Sequence, residues 1–590
     1  MCGILAFNSN IHLSESQFET ALRMQEHRGP DETRFIWFDD LEVLLGANRL
    51  SILDLNHGSQ PFQDEEGNIT ISFNGEIFNA KQLREQLIES GVNFESDHSD
   101  TEVVLKGYSK YGIDFISQLN GMFAILIMDR PNRKLIGVRD RFGIKPFHYF
   151  ADNSFLVCSS ELAPLLHCMK SAKQPISIDL DSLTEYLQVG FVSAPQTIYK
   201  NVMVLNPGHF IEFNLLTKET KQGKWWKQTQ SNWSEAPRND LPQLIRNEFL
   251  SAVKRWTYSD HPIALSLSGG LDSTCILIAA EISGIKLDTF SLVFEDSALE
   301  DWDESENIDK IAAKLSNNHQ SISLSAEDFH KSLPDIIQSL GQPYGGGLPT
   351  FRIFQEVSKS HRVCLTGTGG DELFGNYGRH RLIENKDICT QEDLDEQYTR
   401  IIYKSRMPLL KRIFPSLDFS GEINKWFSYF QSQGETNFED RIANVDINTQ
   451  LPDEFLLVTD RLSMMYSVEA RTPFLDHIFV ENVLSISSHI RHSQPYKQLL
   501  RSAFKEELDK LDLSEAKKGF SLPLSVWLRN ELKDWGDSAI NNPKLKSLLN
   551  VNLGELLATY EDFLDGNNEN ILMLWKIMMF SAWLNQSDYV

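Results

Sequence analysis

Apolar positions recur along the chain in two different rhythms. In the first 150 residues they come as short runs. ISFNGEIF (71–78) and MFAILIMD (122–129) are strand-length, rich in β-branched and aromatic residues, and bounded by turn residues. TEVVLKGYSKYG (101–112) has helical spacing between them, and Gly112 is placed to cap its C-terminus. This pattern predicts an antiparallel α+β layer structure. Further along, PIALSLS (262–268), DTFSLVF (288–294) and RVCLTG (362–367) alternate with helical segments, which predicts a parallel sheet with helical crossovers. From about 380 onward the chain reads mainly helical, with one polar stretch at 431–440. The rhythm lapses between 205 and 235, where VLNPGHF and KQGKWWKQTQSNW carry a proline turn and aperiodic aromatics. The expected division is therefore one unit over 2–210 and a second over 235–590.

Bulk composition narrows the classes. A length of 590 residues exceeds what one core serves. Apolar content of 41% and charged content of 23% are ordinary for a globular protein. A formal charge of −26 argues against nucleic-acid or anionic-membrane partners, which need clustered Lys and Arg. No stretch approaches the ~18 uninterrupted apolar residues of a membrane span. The first residues lack the basic segment and long apolar core of a signal peptide. The six cysteines (Cys2, Cys158, Cys168, Cys275, Cys364, Cys389) form no CxxC pair. That fits a cytoplasmic location and argues against a cysteine-ligated zinc site.

The most specific chemistry lies in ALSLSGGLDSTCILIAA (264–280). An apolar strand runs into Ser268-Gly269-Gly270-Leu271-Asp272-Ser273, and an apolar helix follows. Adjacent glycines let the backbone approach an anion, and the helix N-terminus adds partial positive charge. The loop lacks the lysine of a GxxxxGK[ST] motif. Asp272 in an anion site makes sense if it shares Mg²⁺ with phosphate oxygens. VCLTGTGGDELFGNY (363–377) repeats the strand-to-glycine-loop pattern and ends in Asp371 and Glu372. Ligands of open parallel sheets bind at such strand ends, so Asp371 is the second candidate metal carboxylate. At the other end of the chain, MCGILAF opens with Cys2. Alone, it reads more readily as a small buried residue than as a nucleophile exposed by removal of Met1.

These motifs together resemble the glutamine-hydrolysing asparagine synthetase family. The resemblance runs through MCGI, EHRGPDE (26–32), NRLSILDL (48–55), FNGEIFN (73–79), SDTE (99–102), RDRFGIKPF (139–147), SGGLDS, GGDELFG (369–375), RLSMMYSVEARTPFLD (461–476), YKQLLR (496–501) and KKGFSLPLSVWL (517–528). It implies an N-terminal-nucleophile hydrolase αββα sandwich, followed by a doubly wound parallel-sheet ATP-pyrophosphatase domain with a helical C-terminal part. Cys2 is then the glutaminase nucleophile, with its own α-amine as base. Asn74 and Gly75 form the oxyanion hole. Arg49, with Leu50, Ser51, Ile52 and Leu53, Glu76 and Asp100, binds glutamine, Arg49 taking the α-carboxylate and Asp100 the α-ammonium. In the second half, Leu267, Ser268, Gly269, Gly270, Asp272, Ser273, Leu292, Thr366, Gly367 and Lys518 bind ATP. Asp272 and Asp371 hold Mg²⁺, and Lys497 balances charge on the reacting phosphorus. The implied cofactors are ATP and Mg²⁺, the partners are small molecules, and bacterial family members are usually homodimers. The implied reaction makes asparagine from aspartate, ATP and glutamine-derived ammonia.

Two departures fall on the acceptor side. Family members usually carry a carboxylate in the loop after the second strand, as SGEGSDE or SGDGGDE. Here the loop reads TGTGGDE, and Thr368 can neither take a proton from ammonium nor offer a charge. In GQPYGGGLPTF (341–351) three glycines, Gly345–Gly347, stand where the family usually has an acidic or polar substrate loop. The expectation is asparagine synthesis. The alternative is amidation of a different carboxylate, such as a sugar acid or biosynthetic intermediate.

Overall fold

The computed structural model describes residues 1–9, 13–153, 155–294, 304–315, 318–375, 377, 379, 380, 382, 390–402, 406–419, 430, 437–493, 495–513 and 522–587. Twelve strands build the first part: β1 (Cys2–Ser9), β2 (Glu32–Phe38), β3 (Val43–Arg49), β4 (Phe62–Gln63), β5 (Ile69–Ile77), β6 (Gly121–Asp129), β7 (Lys134–Arg139), β8 (His148–Ala151), β9 (Phe155–Ser159), β10 (Met203–Val204), β11 (His209–Asn214) and β12 (Thr220–Lys224). They form two antiparallel sheets, ordered β10-β8-β9-β1-β3-β2 and β12-β11-β7-β6-β5-β4.

The alternation along each strand explains the layering. Ile4, Ala6 and Leu45 of one sheet meet Ala124, Leu126 and Met128 of the other in the space between them. Leu5, Phe7 and Leu44 face outward against helices Glu15–Arg23 and Leu162–Ser171. Phe73, Ile125 and Ile127 face helices Ala80–Glu89 and Asp100–Tyr111. Both sheets are thus covered on both faces, which is why MFAILIMD is apolar without alternation. The helix at 100–111 ends as expected at Gly112, whose φ is 64°. The second sheet extends beyond residue 210: β11 pairs with β7 and β12 with β11, out to Lys224. β12 is too polar to announce a strand, and β11 follows a proline turn in the stretch where the apolar rhythm lapses.

The second part holds a five-stranded parallel sheet of β13 (Ile263–Ser266), β14 (Asp288–Val293), β15 (His319–Ser323), β16 (Val363–Leu365) and β17 (Glu469–Arg471), ordered β15-β14-β13-β16-β17. The chain winds outward from β13 in one direction and then in the other, so β13 and β16 flank the switch point where open α/β sheets bind ligands. β17 differs from expectation. Its residues lie in RLSMMYSVEAR, which reads as helix packing. The helix stops at Met464, and Glu469–Arg471 extends the sheet.

The C-terminal helix Ile571–Gln586 is apolar on every side and buried on most of it, as such helices must be. Among the described residues no helix is long and apolar enough to cross a membrane. Trp575 is fully buried within ring-contact distance of Phe329 (6.2 Å) and Trp535 (5.6 Å). Replacement by Ala should cost about 3–5 kcal/mol. A loss below about 1 kcal/mol in denaturant unfolding would show that this helix does not anchor the second part.

Candidate active sites

The pairing of β1 with β3 sets the first site, because it places Cys2 directly opposite Arg49. The Cys2 backbone N–H donates to Asn74 Oδ1 at 3.0 Å. Asn74 Nδ2 is buried and has no hydrogen-bond partner among the described residues. A buried amide donor of this kind is costly unless a ligand completes it. Arg49 Nη2 donates to the carbonyls of Asp54 (2.7 Å) and Leu53 (3.3 Å), bending the 50–55 loop around itself. Gln60, which sequence reasoning missed, approaches the thiol: its Nε2 lies 3.6 Å from Cys2 Sγ, and its Oε1 accepts from Phe73 N at 2.7 Å. Nothing in the SQPF sequence signals that role.

Electrostatically the site is held for a cation. Asp100 is buried and accepts from Ile77 N at 3.1 Å, and burial pushes its carboxyl upward. Burial, with Asp100 nearby, raises Glu76 well above the usual carboxylate range. Glu76 Oε1 has no partner among the described residues, while Oε2 meets Arg471 of β17 at 3.2 Å. Burial also raises the Cys2 thiol, opposed by the N-terminal amine and by Arg49. The cavity here is about 30 Å³, the volume of a single water, and Met1 lines it. Met1 itself is buried, its amine 3.2 Å from Glu469 Oε2.

The second site is a cavity of about 450 Å³ at the switch point of the parallel sheet. The phosphate loop turns at Gly269, whose φ of 71° suits glycine, before helix Leu271–Ile282 begins. Asp272 and Asp371 both line the cavity, and Lys497 joins them. Its Nζ is 2.5 Å from Asp272 Oδ2 and 2.6 Å from Asp371 Oδ1. The two carboxylates raise the buried ammonium's pKa against the effect of burial. Lys497 itself has φ 60°, an unusual value for a residue with a side chain. No group of three or more His, Cys, Asp or Glu side chains suited to a metal occurs among the described residues. Asp272 and Asp371 are oxygen donors of the kind Mg²⁺ takes, and they would hold it once the Lys497 ammonium that now bridges them turns aside.

The expected residues fall into three sets. Cys2, Arg49, Leu50, Ile52, Leu53, Gly75, Glu76 and Asp100 line the first cavity. Ser268, Gly270, Asp272, Ser273, Thr366, Gly367, Thr368 and Asp371 line the second. Ser51, Asn74, Leu267, Gly269, Leu292 and Lys497 line neither, although Asn74 bonds the Cys2 N–H and Lys497 bridges Asp272 and Asp371. Ser51 turns toward the second part, its carbonyl accepting from His261 and Arg362, and Leu267 and Leu292 are buried in the cores. Lys518 lies outside the described residues, as does most of the 431–440 stretch. Sequence reasoning missed Tyr344, Tyr377 and Glu454 on the wall of the second cavity. It also took Gly345–Gly347 to leave that wall bare. Instead, a Cβ at Gly346 would stand 2.0 Å from the Tyr344 hydroxyl, so the glycine lets this ring fold back across its own loop.

A thiol beside an unpaired amide donor and a phosphate loop with paired aspartates thus occur in one chain. A glutamine amidotransferase domain model matches residues 1–226, and an asparagine synthase model matches residues 244–585. The chain belongs to the asparagine synthase family, built with an N-terminal glutamine amidotransferase domain. It is 29% identical to asparagine synthetase [glutamine-hydrolyzing] 1 of Bacillus subtilis (strain 168), over 99% of this chain and 96% of that one. A putative asparagine synthetase of Methanocaldococcus jannaschii is 33% identical over 64% of this chain and 76% of its own. "Amidase chry2" of Gibberella zeae is 26% identical over 89% and 90%. Among solved structures, an allosteric regulatory enzyme of purine biosynthesis aligns over 55% of this chain and 80% of that one, at 13% identity and a TM-score of 0.30.

The unpaired amide of Asn74 gives a direct test. Asn74→Ala should lower kcat for glutamine hydrolysis by about 10²–10³, the usual effect of losing an oxyanion donor. A change under about threefold would remove Asn74 from that role.

Proposed function

We propose that this protein uses ATP to adenylate a carboxylate and amidates it with ammonia released from glutamine at Cys2. The observation that carries the reading is the pairing of two cavities. One holds a thiol opposite Arg49, with an unpaired amide donor at Asn74. The other holds the phosphate loop with Asp272, Asp371 and Lys497.

Removal of Met1 turns the N–H now bonded to Asn74 Oδ1 into the α-amine of Cys2 and empties space for glutamine. With an ordinary pKa near ~8, that amine takes the thiol proton, and the thiolate attacks the glutamine side-chain amide carbon. Asn74 Nδ2 stabilises the oxyanion, and the amine returns the proton to the leaving ammonia. Water then releases glutamate from the thioester. At the second site the acceptor carboxylate displaces pyrophosphate from the α-phosphorus of ATP. Ammonia attacks the acyl carbon, AMP leaves and one proton is released. Asp272 and Asp371 would hold Mg²⁺, which would supply charge neutralisation on the phosphates. Lys497 adds a second, fixed positive charge there.

Aspartate is the acceptor that the relatives' names suggest, and asparagine the product. A second reading, a different carboxylate, is favoured by the cavity wall. Thr368 offers only a hydroxyl, 3.3 Å from that of Thr366, and Phe354, Phe455 and Val458 supply apolar surface. Cys2→Ala should abolish glutamine-dependent amide formation while synthesis from added ammonium chloride persists. Continued use of glutamine by that variant would contradict the assignment of Cys2.

A further inference from the structure

We propose that Arg362 and Asp260, both in the second part of the chain, are positioning residues for glutamine. They fix the 50–55 loop that aims the Arg49 guanidinium at the substrate. This rests on the reading of the first cavity as the glutamine site, with Arg49 taking the α-carboxylate.

The loop wraps the guanidinium it serves. Arg49 Nη2 donates to the Leu53 and Asp54 carbonyls, and Nη1 donates to that of Leu55 at 3.4 Å. Where those carbonyls stand therefore sets where the fork of donors points. Asp54 sits in the left-handed region at φ 46°, which a residue with a side chain keeps only where its surroundings impose it.

Much of that surrounding comes from the second part. At Ser51 the backbone is gripped on both sides. Its N–H donates to Asp31 Oδ2 at 2.8 Å, and its carbonyl accepts from Arg362 Nη1 at 3.3 Å and faces His261 Nε2 at 3.1 Å. Arg362 also forks onto both carboxylate oxygens of Asp31, Nη2 meeting Oδ1 at 3.1 Å. Burial pushes the Asp31 carboxyl up, but Arg362 and the Ser51 N–H bring it below its ordinary value, so it stays ionised. The Asp31 N–H in turn donates to the Arg49 carbonyl at 3.1 Å. The second grip is at Asp54. Its N–H donates to Asp260 Oδ2 at 3.1 Å, and the same oxygen lies 2.8 Å from His98 Nε2. The two grips bracket the stretch that holds the guanidinium.

These anchors lie side by side. Asp260 and His261 lead into β13, Arg362 leads into β16, and the two strands pair with Ile263 opposite Val363. One end of the strand pair holds the glutamine loop, and the loops at its other end line the second cavity. The Arg362 and Asp31 side chains are 38% and 27% exposed, and an exposed ion pair by itself contributes little stability. Their effect lies in the backbone they hold. Losing them should weaken glutamine binding and leave overall stability nearly as it was.

The test uses the full chain with Met1 removed, as Arg362→Gln, Asp260→Ala and the conservative Arg362→Lys. Glutamate release gives KM and kcat for glutamine. Inactivation by 6-diazo-5-oxo-L-norleucine, which carries the α-carboxylate of glutamine, is compared with alkylation of Cys2 by iodoacetamide, which carries none. Poorer carboxylate positioning removes uniform binding, so KM should rise about tenfold or more in Arg362→Gln and Asp260→Ala while kcat stays within about threefold. Inactivation by the norleucine should slow by a similar factor, and iodoacetamide should react as in the unaltered enzyme. Arg362→Lys keeps the charge and a donor and should recover most of the affinity. A KM within about twofold of the unaltered enzyme removes the substituted residue from this role. Equal slowing of iodoacetamide would reveal a general disturbance of the site and overturn the proposal. If the unaltered enzyme released no glutamate and resisted the norleucine while iodoacetamide still alkylated Cys2, the glutamine reading itself would fall, and the proposal with it.

Discussion

Charge buried between the two halves of the chain is the constraint on which the rest of the structure depends. Glu469 meets Arg471, and Arg471 reaches Glu76, all nearly or fully buried. Beside this chain, Arg28 donates to the Cys2 carbonyl and pairs with Glu161 and Asp460, and Arg461 pairs with Glu161 as well. Glu469, Arg471, Asp460 and Arg461 belong to the second half, and the others to the first. Removing one partner of such a pair leaves an uncompensated charge out of water, which is strongly destabilising. The two cavities are therefore held in register by groups that tolerate little displacement. Glu469 and Arg471 lie on β17, at the edge of the same parallel sheet whose strand ends form the second cavity. The polar seam around Cys2 thus joins the sheet whose strand ends carry the phosphate loop.

That seam places chemistry and selectivity in different parts of the second cavity. The phosphate end carries a glycine loop, two aspartates and a lysine bridging them. At the other end the residue at 368 carries a hydroxyl, and Glu304, Glu372 and Glu454 also line the cavity. Changing which acid is amidated requires no change at the ATP end, because the acyl-adenylate step asks the same of the enzyme whatever carboxylate arrives. Such modularity is how one fold serves different acceptors.

Legibility of the sequence followed locality. Strands β5, β6, β13, β14 and β16, the helix ending at Gly112 and the phosphate loop were all readable, because each is specified by its own apolar run and its own turn residues. β11, β12 and β17 were not. β12 is polar, β11 lies just past a proline turn where the apolar rhythm lapses, and three-residue β17 is held by pairing with β16 and by ion pairs from residues hundreds of positions away. The first cavity was largely recoverable through family motifs, but Gln60 was missed because only the folded chain brings it to Cys2. Gly345–Gly347 misled most. Glycine in a sequence reads as missing side chain, whereas here it is the space that Tyr344 fills.

Transfer of nitrogen between the two sites is the central claim, and isotope labelling tests it most directly. The enzyme is supplied with glutamine labelled with ¹⁵N in its side-chain amide, Mg-ATP, an acceptor that elicits pyrophosphate release, and excess unlabelled ammonium. If the buried seam keeps the sites joined, the amide product retains the label from glutamine despite the unlabelled pool. Dilution of the label to the composition of the bulk ammonium would contradict the account.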